Sequence, residues 1–456
     1  MPENAAAIAS GGSTAPTTIP AAPPPTTGHR HPSTPAAWYL VGVLVVASVF
    51  SFIDRQILTL LIQPIRADLH ISDTEISLLQ GLAFTIFYSV LGLPLGRYAD
   101  RGHRRNMIVG GLVVWSMMTI SCGLAHNYTQ LFLARIGVGV GEAALAPAAY
   151  SLICDAFRPQ RRGAALGAYS SAIYLGIGMS IVVGGMVIAL IKGADAVTLP
   201  LLGEVRSWQA SFIYVGLSGL LAVPLLLTVR EPARDSVMHA RQQPPLRAGW
   251  DYARQHSKAF TAQLLGYAFL AMAAYAFGSW IPTFFIRNHG WLASQAGIQY
   301  GLAVSLFGTA GGVASGWLAD RLLARGRRDA RIAITLLVPL AWIPLVLGAV
   351  LASSAGAALV LAGAAAGFSS MANSLGPTTI QDIVPPWLRG QATAVFFFVI
   401  NLVGLSVGPT AVALVTDHVF HADAMIRYAI PTVVVPSIAL GWLLLAWGRR
   451  AYVAAC

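Results

Sequence analysis

Apolar stretches of about 20 residues, the length a helix needs to cross a bilayer core, follow one another with short gaps along most of the chain. They predict twelve spanning helices, at 37–62, 76–98, 106–125, 128–154, 163–191, 208–229, 259–286, 297–319, 331–352, 355–384, 390–416 and 429–447. Runs this long and this poor in charge exceed the helices of a soluble core. In lipid only a helix or a closed barrel satisfies its own backbone, so the pattern predicts an all-α polytopic membrane protein.

The gaps organise these helices. Residues 1–36 are rich in Ala, Pro, Thr and Ser and hold almost no large apolar side chain, a composition expected to stay disordered. The longest internal polar connection, 230–258, divides the spans six and six. Two patterns recur across it: Gly96-Arg-Tyr-Ala-Asp100-Arg101 returns as Gly316-Trp-Leu-Ala-Asp320-Arg321, and Asp155 with Arg162-Gly163 returns as Asp382 with Arg389-Gly390. A duplicated six-helix unit follows, with bundles at 37–229 and 259–447, a linker at 230–258 and a tail at 448–456. Two pseudo-symmetric bundles with a substrate site between them is the arrangement of many secondary transporters.

Composition and charge agree with this reading. Of the 456 residues 56% are hydrophobic and 10% charged, against about 25% charged in a typical soluble domain. The net charge of +11 would suggest nucleic acid in a soluble protein. Threaded through twelve crossings, however, 22 of the 29 Lys and Arg fall on the side of the two termini, five fall opposite, and Arg55 and Arg135 lie within spans. The charge therefore reads as a topology signal placing both termini in the cytoplasm, and nucleic acid is not expected as a partner. Cys122, Cys154 and Cys456 show neither a disulfide framework nor a metal spacing. No metal site, cofactor or phosphate-binding Gly-Lys-Ser/Thr loop is expected, and no nucleophile and base converge as an enzyme would require.

Ionisable groups inside spans cost roughly 2.5 to 3.5 kcal/mol each and by default mark function. Arg135 and Glu142 lie seven residues apart in the fourth span, about two helical turns, and so share a face. Asp54 lies deep in the first span. Arg135 cannot shed its proton and must keep an acceptor, for which Asp54 and Glu142 are the candidates. One donor and two acceptors predict a switch in which protonating Asp54 frees Arg135 for Glu142 or for an anionic cargo. The same charges could instead form a fixed brace. Arg55, adjacent to Asp54 and about 100° away around the helix, either meets a substrate phosphate or snorkels.

The segments GRYADRGHRR and GWLADRLLARGRR resemble the loop motif of the major facilitator superfamily, with Gly102 and His103 departing from its usual order. Within it, SFIDRQIL, ARIGVGVGEAALAPAAYSLICDAFRPQRRGAALG and NLVGLSVGPTAVALVTD resemble the spinster-like branch. The resemblance implies a secondary carrier, proton-linked or facilitative, of lysophospholipids or phosphorylated sphingoid lipids. It carries over to Asp54, Arg55, Arg135 and Glu142, and it implies a cytoplasmic gate at Asp100, Arg101, Asp320 and Arg321. The fifth span lacks the Gly-Pro associated with drug antiporters.

Candidate cargo contacts are Arg55, Tyr88, Tyr169, Tyr275, Trp280, Asn373 and Asn401, drawn from aromatic and small polar positions in the spans. An apolar wall with a few amides and hydroxyls suits an amphipathic ligand, although such residues also serve helix packing. Pro282 is a possible break in the seventh span, and Asn127-Tyr-Thr129 matches a glycosylation sequon that three residues produce often by chance. The expectation is thus a monomeric multi-pass carrier of the plasma membrane, if bacterial, in a lipid bilayer, with protons and a small amphipathic substrate as partners. A small organic anion or drug-like compound is the alternative cargo, and a non-transporting receptor the alternative class.

Overall fold

The computed structural model describes residues 32–99, 102–191, 196–200, 203–232, 246–327, 329–385 and 388–455. Among these, eleven helical segments are long and apolar enough to cross a membrane. The 32-residue helix Pro159–Leu190, whose described part carries an apolar stretch at Leu175–Leu190, occupies the place of the expected fifth span. The protein is a multi-pass integral membrane protein built of helices.

In the first half, α1 (Thr34–Leu60) is followed by the short α2 (Ile62–Leu69), and the second span is made of α3 (Asp73–Gln80) and α4 (Leu82–Ala99). Ser72 opens α3 through a reciprocal capping box with Glu75, which satisfies two otherwise orphaned backbone donors. Next come α5 (Arg104–Gly123), α6 (Tyr128–Glu142), α7 (Leu145–Ala156), α8 (Pro159–Leu190), α9 (Ser207–Leu220) and α10 (Ala222–Leu227). Between α8 and α9 the chain forms a small antiparallel hairpin, β1 (Ala196–Leu199) with β2 (Gly203–Arg206), which the hydropathy pattern did not anticipate.

The second half opens with α11 (Leu246–Gln255), a short helix inside the expected linker, and continues with α12 (Ser257–His289), α13 (Ala293–Ala303), α14 (Thr309–Ala324), α15 (Ala330–Leu351), α16 (Ala355–Asp382), α17 (Arg389–Ile400), α18 (Gly408–Val415) and α19 (Ile426–Ala455). At Pro282, where the sequence offered a break, α12 runs through unbroken. The irregularities lie elsewhere. A π-helical turn at Val304–Gly308 joins α13 to α14, and another at Asn401–Val407 joins α17 to α18.

The halves meet through α8 against α13 and through α3 and α4 against the eleventh span. At the second seam Gly81 is required: a Cβ there would stand 2.5 Å from the Leu405 carbonyl oxygen and 3.0 Å from the Ser406 Cα. Hydrogen bonds that join the halves at described residues cluster on the side where α1 ends, called here the far side, through Arg66, Thr74 and Arg287. The other side, where α1 begins, is the terminus side.

The internal repeat appears as paired ion pairs. Arg104 at the start of α5 binds Asp155 near the end of α7, and Arg331 at the start of α15 binds Asp382 at the end of α16. Both members are displaced by the same 227 positions between halves. Arg104 is wholly buried and also donates to Glu231 at 3.1 Å and to the Pro232 carbonyl at 3.0 Å, tying the third, fourth and sixth spans together.

Candidate functional site

The site forms where α1, α4 and α6 converge. On α1, Ser51 and Arg55 are one turn apart, so they project to the same side. Ser51 Oγ donates to Glu142 Oε2 at 2.5 Å, and Arg55 reaches the same oxygen with Nε at 2.6 Å and Nη2 at 2.5 Å. Glu142 Oε1 is buried without a hydrogen-bond partner, as is Asp54 Oδ1.

Glu142 owes its position to a helix break. The fourth span is not one continuous helix: α6 ends at Glu142 and α7 begins at Leu145. Pro147 has no N–H to return to the Ala143 carbonyl, so the regular ladder is interrupted there. Asn127, the first residue of the sequon, caps the other end of α6 by accepting from the Gln130 N–H at 2.9 Å. Between them Gly139 allows α6 to lie against α4, since a Cβ would stand 2.5 Å from the Phe84 carbonyl oxygen.

That contact sets Phe84 beneath the charges. The Arg55 guanidinium carbon lies 4.4 Å from the Phe84 ring centroid and 4.8 Å from that of Tyr88, and the two rings stack at 5.2 Å. Cations over aromatic faces gain about 0.5 to 2 kcal/mol depending on desolvation. Tyr275, on α12 of the other half, lies within electrostatic range of Arg55 and Tyr88. Its ring packs beside Gly404, where a Cβ would stand 3.1 Å away.

Arg135 departs from expectation. Its Nη1 donates to the main-chain carbonyl of Asp54 at 3.1 Å and its Nε to that of Leu79 at 3.4 Å, and neither carboxylate is its hydrogen-bond partner. Two physical reasons account for this. Arg55 and Ser51 already hold Glu142, and Leu79 lies in the last turn of α3, where helix carbonyls lack intrahelical donors. Arg135 thus fastens the backbones of the first two spans, while Arg55, expected to point elsewhere, makes the ion pair.

Exposure separates the four charges. Asp54, Arg135 and Glu142 are each 1% exposed, whereas the Arg55 side chain is 23% exposed. Of the four, Arg55 is the member with surface left uncovered.

The remaining expected residues are more scattered. Tyr169 exchanges a 2.9 Å hydrogen bond with Ser48, one turn before Ser51, and packs edge-on against Tyr150. Trp280 is fully buried and donates to the Pro409 carbonyl at 2.9 Å, a packing position within the second half. Asn373 donates to the Ser369 carbonyl one turn earlier in its own helix, and Asn401 starts the π-helical turn of the eleventh span. Asp320 and Arg321 are exposed near the end of α14, with Arg321 5.1 Å over Trp317. Asp100 and Arg101 lie outside the described residues. Ser51 and Phe84 were not anticipated; the one available signal was the placement of Ser51 one turn before Arg55. Among the described residues no group of His, Cys, Asp or Glu is arranged to hold a metal.

A family model described as Major Facilitator Superfamily matches residues 44–409. The chain belongs to the major facilitator superfamily. Within that superfamily it is 34% identical over 387 residues to an MFS-type efflux pump of Mycolicibacterium smegmatis, covering 84% of this chain and 85% of that one. It is 29% identical to a probable L-galactonate transporter of Escherichia coli over 62% of each chain. Among solved structures it superposes on a bacterial homologue of the human lysosomal transporter spinster, crystallised in an inward-facing and unoccupied conformation. The TM-score is 0.73 at 26% identity, covering 93% of this chain and 98% of that one. The protein is therefore a membrane transporter and not an enzyme, and it is similar to the spinster-like branch.

Proposed function

We propose that this superfamily transporter is a proton-coupled secondary carrier of an amphipathic anion, a lysophospholipid or sphingoid phosphate in type. The Arg55–Glu142 pair carries the reading. It offers a partly exposed, fork-shaped cation while keeping its counter-ion buried. Guanidinium binds phosphate or carboxylate bidentately, so a cargo headgroup can take the place of Glu142 on Arg55. A carboxylate left buried without its cation is stable only in protonated form, which links cargo arrival to proton uptake at Glu142 and at Asp54 beside it. Phe84, Tyr88 and Tyr275 supply an apolar wall for the cargo chain. The transporting units in this reading are 37–229 and 259–447, joined by 230–258. The terminus-side gate comprises Asp100, Arg101, Asp320 and Arg321 in the opposite conformation.

The likeness to the L-galactonate transporter supports a second reading, a small sugar acid, because a carboxylate fits Arg55 as well as a phosphate does. Purified protein in liposomes, offered a labelled lysophospholipid and a labelled sugar acid under an imposed pH gradient, distinguishes the two. Uptake of the lysolipid alone supports the first reading. Uptake of the sugar acid alone replaces it with the second.

A further inference from the structure

The far side of the molecule holds a second charged cluster, built from both halves. Arg287, in the last turn of α12, clamps Asp73, the first residue of α3, with Nη1 to Oδ2 at 2.6 Å and Nη2 to Oδ1 at 2.7 Å. The pair is dry: the side chains are 5% and 0% exposed. Arg66 on α2 adds Nε to Asp73 Oδ1 at 3.2 Å and crosses to Asp423 of the second half at 2.8 Å. Asp417 accepts from both the amide and the hydroxyl of Thr74, at 2.8 and 2.7 Å.

We propose that the Asp73–Arg287 clamp, with Arg66, Asp423 and the Thr74–Asp417 contact around it, is the far-side gate of this transporter, the set of bonds that must break for the halves to part on that side. Asp73 sits at the N-terminus of its helix and Arg287 near the C-terminus of its own, the ends at which the helix dipoles favour those charges. Both are therefore held in place before the halves meet. A bidentate pair between rigid helix ends is strong only when the ends are in register, so the gate is closed in one relative position of the halves and lost in others. Removing one partner leaves the other charge buried and unpaired. Opening restores its water, so single neutralisation displaces the equilibrium toward the far-side-open state.

The inference rests on membership of a two-bundle transporter family and not on the cargo or on proton coupling, so its test is conformational. In a background lacking Cys122, Cys154 and Cys456, spin labels at Ala67→Cys and Leu292→Cys, exposed positions on either half of the far side, report the gate by pulsed electron resonance in liposomes. The parent should show mainly the short distance. Asp73→Asn and Arg287→Gln should each raise the ratio of long to short distance about tenfold. The double variant should raise it by less than the product of the two single effects, the sign of direct coupling. Asp423→Asn, at a side chain 54% exposed and no threat to folding, should give a smaller shift in the same direction. Unchanged distances in the single variants, or a double variant equal to the product, would overturn the proposal.

Discussion

Arg55 and Glu142 face each other across the first and fourth spans with 2.6 Å between Nε and Oε2, and of the charges Asp54, Arg55, Arg135 and Glu142 it is Arg55 that is partly exposed. In the proposed cycle the pair is a lock that cargo opens, because the acceptor it must displace belongs to the protein. Competition of this kind has a specific consequence for Glu142.

Glu142→Gln removes the competing anion and leaves a neutral isostere. The variant should bind a lysophospholipid more tightly, by about tenfold, the scale of one charge-assisted hydrogen bond, while losing acceleration of uptake by a pH gradient. Equilibrium binding to detergent-purified protein checks the first effect and liposome uptake the second.

Arg55→Lys keeps the charge but not the fork that meets an anion with two parallel bonds. KM for the anionic cargo should rise about tenfold or more, and Arg55→Gln should abolish measurable uptake. Arg55→Lys should insert and purify normally, since it keeps a cation beside the buried Glu142. Uptake kinetics at several cargo concentrations are the check.

Gly139→Ala tests the packing that seats Phe84. The added methyl would press on the Phe84 main-chain oxygen at 2.5 Å, and backbone yields poorly. A loss of about 1 to 3 kcal/mol is expected for overpacking of this kind, read as a lower melting temperature in detergent. Ala at the exposed Gly316, where nothing lies within 4 Å of the added atom, should leave the melting temperature near that of the parent.

The terminus-side brace of the first half predicts a pH dependence. Burial opposes ionisation of Glu231, but main-chain and side-chain N–H groups of Arg104 outweigh it and hold the carboxyl below its ordinary value. A depressed carboxylate stabilises the fold fully at neutral pH and loses that contribution as pH falls through the range beneath the usual carboxylate pKa. Glu231→Gln should therefore lower the melting temperature at about pH 7, and the gap to the parent should narrow as the medium is acidified toward about pH 3. Arg104→Ala should be more damaging than Arg331→Ala, because Arg104 is wholly buried whereas the Arg331 side chain is 25% exposed.

The spans were legible in the sequence for a strong physical reason: lipid forces backbone polar groups into helices, and hydropathy reports the result. The identity of the buried charges was legible too, since cost alone marks them. Their partners were not. Whether Arg55 or Arg135 meets Glu142 depends on how α1 and α6 are rotated within the bundle. That rotation is set by contacts such as Gly139 on Phe84, to which no local pattern points. The break after Glu142 had a signal in Pro147, and the Arg104–Asp155 and Arg331–Asp382 pairs had one in the 227-residue repeat. The far-side arginines were counted only as exceptions to a charge rule. In the structure Arg66, Arg206 and Arg287 each meet a carboxylate, and Arg427 donates to the Val350 carbonyl at 3.2 Å. The π-helical turns, Val304–Gly308, Asn401–Val407 and Thr416–Phe420, have no composition that marks them in advance.

Uptake of a labelled lysophospholipid into liposomes, compared between the parent and Asp54→Asn with and without an imposed pH gradient, tests the central claim most directly. The account predicts that the gradient drives accumulation by the parent, and that Asp54→Asn equilibrates the same cargo without responding to the gradient. Full gradient-driven accumulation by Asp54→Asn would contradict it.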